Sequence, residues 1–205
     1  MRPISLIVGA LCALLAVPAL AQTPDGTPTN IRGKVETLDG QRLMVKSRDG
    51  QELQVTLAPG FAVLGVVKAK RADIKQGDFV GIAAAPGKDG KLHAQEILIF
   101  PEAARGTGEG HYPWDLRGKG DTMTNATVSG IVNQSKSRVL TLTYKGGEQA
   151  ISVSSRTPVV TFKPGDLDLL KPGVTIFIPR ASKKSDGTLL AERAIAEQNG
   201  VKPPM

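Results

Sequence analysis

The sequence predicts an all-β protein: two tandem small OB-like β-barrel repeats joined by a Gly-rich linker, behind an N-terminal signal peptide. Three observations lead there: an internal repeat, apolar residues alternating between glycine turns, and an export-type leader. The leader is MRPISLIVGALCALLAVPALAQ. Arg2 supplies a positive start, and Ile4 to Val17 form an apolar run short for a membrane span. Pro18 breaks it, and Ala19-Leu20-Ala21 sets small residues where a signal peptidase reads, so cleavage is expected near Ala21-Gln22. Cys12, the only cysteine, would leave with the leader. A mature chain without cysteine has no disulfide, thiolate metal site or cysteine nucleophile. The expected location is periplasmic or secreted, in a mature chain with no transmembrane segment.

The repeat organises the rest. A shift of about 97 residues places Gly33 on Gly130, Val35 on Val132, Leu43 on Leu140 and Val45 on Leu142. The same shift sets Asp89-Gly90 on Asp186-Gly187 and Ala94 on Ala191, while Gly77 meets Gly173 with one residue of slippage. In order along the first copy, Leu43 and Val45 alternate with polar residues up to the turn Asp49-Gly50. Leu53, Val55 and Leu57 then resume the alternation, as in a half-buried hairpin. The second copy repeats the device with Leu140 and Leu142, Gly146-Gly147, then Ile151 and Val153. A further pair follows in each copy: FVGIAAA with KLHAQEILIF, and VTIFIPR with LLAERAI. RADIKQG and PGDLDLLKPG precede these pairs, each long enough for one helical turn, with Asp166 and Asp168 placed to cap and charge the second. The order suits a small, strongly bent barrel. The expected boundaries are 1–21 leader, 22–29 tail, 30–100 first barrel, 101–126 linker, 127–197 second barrel and 198–205 tail.

The recurring frame G-x-V, DG or GG, L-x-x-G, DG-x-L-x-A resembles a bacterial exported family known only as a domain of unknown function, whose small β domains occur singly or in tandem. The likeness covers Ile31–Phe100 and Thr127–Ala196 and leaves out the linker. The second copy departs from the frame at Val174, where the first has Asp78. The resemblance implies a fold and an export route and brings no catalytic residues.

The linker stretch RGTGEGHYPWDLRGKGDTMTNA stands apart. It holds the only Trp, Trp114, with His111, Tyr112 and Asp115 beside it and Met123 further on. Irregular connections of about 26 residues are either functional or tied down. Two readings use the same residues. As an interdomain staple, Trp114 would insert between the barrels, with Tyr112 and Leu116 on its face. As a ligand-binding loop, His111, Tyr112, Trp114 and Asp115 would face outward. A metal site is a further candidate: His111, Asp115 and Met123, with Glu109 and Asp121 near, mix imidazole, carboxylate and thioether ligands as copper or zinc sites do. No other cofactor is expected.

Catalysis finds little material. His93 lies in a strand where the other copy has Leu190, no Gly-x-Ser-x-Gly elbow occurs, and 4% aromatics makes a poor sugar platform. GTGEG lacks the strand and helix that a dinucleotide loop requires. Nucleic acid is not expected, because Phe61, Phe79, Phe100, Tyr144, Phe162 and Phe177 fall on apolar faces rather than over a basic groove. The formal charge of +7 is spread along the chain. Lys68, Lys70, Arg71 and Lys75 form its one dense patch, either a solvated turn or a contact for an anionic envelope partner. The expectation is a non-enzymatic binding or scaffold protein of the cell envelope. A periplasmic metal-binding accessory protein is the alternative and a hydrolase the third choice.

Overall fold

The protein is represented by a computed structural model that describes residues 26–114, 120–135 and 137–203. The expected leader and cleavage point, Cys12, Asp115 and Leu116 lie outside the described residues. The chain is all-β, with three short 3-10 turns and no α-helix among the described residues.

The first strands are β1 (Thr27–Asp39), β2 (Arg42–Ser47) and β3 (Glu52–Lys68). They form where β-branched and leucine residues alternate with polar ones, so that one face of each strand is buried. Gly50, with φ of +87°, makes the turn between β2 and β3, a conformation costly to a residue bearing Cβ. After a 3-10 turn at Arg71–Asp73 come β4 (Phe79–Pro86) and β5 (Leu92–Ile99). The linker holds a short strand, β6 (Gly110–Pro113). Then follow β7 (Thr122–Asn133), β8 (Ser137–Tyr144), β9 (Gly147–Ser154) and β10 (Val159–Gly165). A 3-10 turn at Leu167–Leu169, started by Asp166 accepting from the Asp168 backbone N–H, leads to β11 (Thr175–Lys183) and β12 (Leu189–Ala196).

Two closed circuits of five strands result. In the first, β1 pairs with β2, β2 with β3, β3 in parallel with β12, β12 with β11, and β11 with β1. In the second, β7 pairs with β8, β8 with β9, β9 in parallel with β5, β5 with β4, and β4 with β7. Each barrel therefore takes three strands from one half of the chain and a hairpin from the other. Closure within 30–100 and within 127–197, as expected from sequence, is not how the strands pair. The linker likewise does not join the barrels, because β5 before it and β7 after it belong to the same one.

The physical reason lies in β3. Its 17 residues can extend about 55 Å, beyond the height of a small barrel. The first part faces the first barrel through Val55, Leu57 and Val63; Val66 faces elsewhere. That far end pairs antiparallel with β10, from Val63↔Gly165 to Lys68↔Val160, and delivers the chain to the second barrel. β10 makes the reciprocal passage toward β11.

Registers show which residues correspond. Val35↔Val45 precedes a bulge in β1 as Val128↔Leu142 does in β7. Val35 thus matches Val128, and Leu38 matches Ile131. The alignment of Gly33 with Gly130 and Val35 with Val132 is four residues out, because the β7–β8 turn is four residues longer. Leu43 with Leu140 and Val45 with Leu142 hold, since each pair occupies the same place opposite its neighbours.

Three clusters fill the interior. Ile31, Leu43, Val45, Ile176 and Ile178 belong to the first barrel's core. Ile82, Ile97, Leu140, Leu142 and Ile151 belong to the second's. Val66, Leu98, Val160, Phe162, Phe177 and Ile195 form a third, on the outer faces where the barrels meet. Because the first core needs β11 and β12, a fragment of residues 26–100 alone is expected to show no cooperative monomeric unfolding. Mixing it with 101–203 restores the transition, as read by circular dichroism. A folded, monomeric 26–100 fragment would contradict the hairpin exchange.

Candidate functional site

Among the described residues the linker strand β6 pairs only with β7: His111 opposite Thr124, Tyr112 opposite Met123, Pro113 opposite Thr122. Trp114 continues the ladder, its backbone N–H donating to the Asp121 carbonyl at 2.8 Å. Successive side chains on a strand point to opposite faces, and this divides the sequence-predicted residues into two sets.

His111 lies on one face. Its Nδ1 is 2.8 Å from Thr124 Oγ1, and its ring stacks on Tyr144 at 6.2 Å between centroids. Thr124 is fully buried beneath it and Tyr144 packs against the second barrel's core, so His111 covers that barrel's side. Glu109 turns elsewhere and accepts from the Lys145 backbone N–H at 3.0 Å.

Tyr112 and Trp114 lie on the other face, rings 6.2 Å apart and edge-on. Trp114 packs against the inter-barrel cluster. Asn125 Nδ2 donates to the Tyr112 hydroxyl at 3.2 Å and to the Thr107 carbonyl at 3.1 Å. Above Trp114 sits Arg32, 7% exposed, its guanidinium 4.9 Å from the Trp114 ring and 4.8 Å from the Phe177 ring. Such a cation between two aromatic faces contributes about 1–2 kcal/mol where water is excluded. Arg32 reaches from the first barrel and Trp114 from the second, so this sandwich ties the two together. In the second barrel the register partners equivalent to Arg32 and Phe177 are Asn125 and Gly81. A Cβ on Gly81 would meet Asn125 Oδ1 at 2.7 Å and the Phe100 ring at 3.0 Å.

Of the expected metal ligands, Asp115 lies outside the described residues, and the other two are held apart. His111 and Met123 stand on opposite faces of the β6–β7 pair and cannot ligate one ion. No group of three or more His, Cys, Asp or Glu residues able to hold a metal occurs among the described residues. His93, the second histidine, is about half exposed and pairs with Asp89 at 2.9 Å. That contact holds the Asp89 carboxyl below its ordinary range. Phe79, Phe162 and Phe177 are buried, leaving no aromatic stacking platform from these rings.

The basic segment surrounds the 3-10 turn after β3. Lys68, Lys70 and Lys75 are exposed, and Arg71 is half-buried. Asp73 and Asp78 lie among them, but their carboxylates accept from the backbone N–H groups of Lys70 and Lys75. Arg71 lines an open groove of about 430 Å3 shared with Gln134, Ser135, Ser137, Ser154, Ser155 and Arg156. Sequence reasoning missed Arg32, which reads as a polar position between Ile31 and Gly33. It also missed Arg156; the signal was the hydroxyl-rich run SVSSRTP ahead of a proline. No protein-family model, curated protein or solved structure matches the chain.

The linker's packing has three measurable consequences. As the only tryptophan, Trp114 should emit at blue-shifted wavelength in the native protein, unchanged by Cu(II) or Zn(II), and shift red on unfolding. Trp114→Ala should lower stability by about 2–3 kcal/mol in urea unfolding. Burial raises the Tyr112 phenol pKa. The folded state then holds the proton more tightly than the unfolded chain. The stability linked to this group is complete below the ordinary tyrosine value near 10 and lost as pH rises through the folded value. Tyr112→Phe should therefore flatten the decline of the urea midpoint above about pH 10; an unchanged slope would remove Tyr112 from that decline.

Proposed function

We propose that the protein is an exported, non-catalytic binding or scaffold module of the bacterial cell envelope. In this reading it consists of two copies of one small OB-like unit, similar to the exported β domains that its turn-and-core frame resembles, with their C-terminal hairpins exchanged. The observation that carries it is the use to which the chemistry-bearing side chains are put. His111 is bonded to Thr124 and stacked on Tyr144, while Tyr112, Trp114 and Arg32 are engaged where the barrels meet. Groups spent on packing two barrels into one continuous sheet are poorly placed to act on a substrate. The surface left for recognition is charged and hydroxylated, with Lys68, Lys70, Arg71 and Lys75 on it. An anionic envelope component is the partner that such a surface suits.

The mass of the protein recovered from a periplasmic or culture fraction tests export: a chain beginning at Gln22 is expected, and a cytosolic chain retaining residues 1–21 would overturn it. Envelope association should weaken with added salt, because contacts between exposed charges are screened. His111→Ala should cost stability alone. Turnover of any substrate that disappears in that variant would overturn the non-catalytic reading.

A further inference from the structure

We infer that the groove between Arg71 and Arg156 is a binding site for a phosphate-bearing ligand. The inference deepens the envelope-binding reading and rests on it for the ligand's source, though not for its chemistry.

Three separate elements build the groove. Arg71 comes from the 3-10 turn after β3, Gln134, Ser135 and Ser137 from the β7–β8 turn, and Ser154, Ser155 and Arg156 from the junction of β9 and β10. The lining carries two guanidinium groups, four hydroxyls and an amide, and no carboxylate. Neither the Arg71 nor the Arg156 guanidinium is paired with a carboxylate among the described residues. Guanidinium forks match the paired oxygens of a phosphate, and serine hydroxyls donate to those that remain. At about 430 Å3 the groove exceeds what one phosphate fills, leaving room for the alcohol that a phosphate ester carries.

The walls are tied in place. Arg138 Nη1 donates to the Arg71 carbonyl at 2.9 Å, and its Nε donates to Asn133 Oδ1 at 2.9 Å. The Gln134 backbone N–H donates to the Ser137 carbonyl at 2.9 Å. Ser154 Oγ accepts from the Arg156 backbone N–H at 3.2 Å and lies 3.1 Å from Thr157 Oγ1. These contacts leave both guanidinium groups unused, while the Ser137 hydroxyl donates to Gln134 Oε1 at 2.9 Å until a ligand competes for it.

The first barrel supplies an internal comparison. By register, Ser154, Ser155 and Arg156 correspond to Ala58, Pro59 and Gly60. Those three line a groove with Ala62, Leu64, Glu192 and Arg193, which has no side-chain hydroxyl and sets a carboxylate beside its arginine. The β1–β2 turn has no counterpart to the wall made by Gln134, Ser135 and Ser137, since the β7–β8 connection is four residues longer. The same scaffold closes without these hydroxyls and arginines, so barrel closure does not demand them.

Isothermal titration of the full mature chain with inorganic phosphate and with glycerol 3-phosphate tests the site. Co-sedimentation with phosphatidylglycerol vesicles, against phosphatidylcholine vesicles, tests a lipid source. Saturable binding of either soluble phosphate, or of the phosphatidylglycerol vesicles alone, is expected. Arg71→Gln and Arg156→Gln should each weaken it about tenfold, and Ser154→Ala with Ser155→Ala should weaken it without changing charge. Arg105→Gln, which removes the same charge from a pair with Glu102 that does not line the groove, should leave it unchanged. Equal loss in Arg105→Gln would reduce the effect to net charge and overturn the site, as would absence of binding to all probes. In either case salt-sensitive envelope association can persist, so failure of the groove is distinguishable from failure of the envelope reading.

Discussion

The antiparallel ladder between the far end of β3 and β10 sets the rest of the molecule. Six residue pairs, Val63↔Gly165 through Lys68↔Val160, join the barrels by backbone hydrogen bonds. The same ladder carries each half of the chain across to the other barrel. Once β3 has passed along it, β4 and β5 can close only the second barrel; once β10 has passed, β11 and β12 close the first. Neither barrel has a complete set of strands without the other half. A unit of about seventy residues buries only about 60% of its surface and is marginal alone. Mutual exchange makes the two marginal units a single cooperative object.

The side chains at this seam follow from its geometry. Backbone pairing brings the outer faces of two barrels close together, and outer faces are ordinarily polar. Here they carry Val66, Leu98, Val160, Phe162, Phe177 and Ile195, which are buried where they meet. Arg32 survives in this setting because its flat guanidinium lies between the rings of Trp114 and Phe177. The linker supplies the Trp114 face by adding β6 to the edge of β7. Its glycines and Pro113 position that strand, and alternation then sends His111 toward the second barrel's core and Trp114 toward the seam.

The two ends of this scaffold differ in what they expose. The first barrel's bend at Ala58-Pro59-Gly60 continues one long strand. The corresponding Ser154-Ser155-Arg156 ends β9 and opens a polar groove beside Arg71. Strand circuits tolerate both, since the difference lies in turns and junctions outside the paired backbone. Variation of recognition at fixed architecture is concentrated in such segments.

Much of the secondary structure was legible because period-two alternation and glycine turns are local properties. Leu43 and Val45 before Asp49-Gly50, and Leu140 and Leu142 before Gly146-Gly147, mark hairpins whatever surrounds them. The role of Trp114 as a large side chain needing cover was also visible, as was the basic character of Lys68 to Lys75. Partnership was not. Whether β4 closes its own barrel or its neighbour's depends on where β3 ends in space, and both choices bury the same alternating face. The four-residue offset at Val35 escaped for a related reason: a longer turn leaves the strand pattern intact while displacing its numbering. Arg32 against Trp114, and Arg71 against Arg156, join residues more than eighty positions apart. Such contacts exist only once the crossed strands have brought distant segments together, and that is what the tertiary structure alone decided.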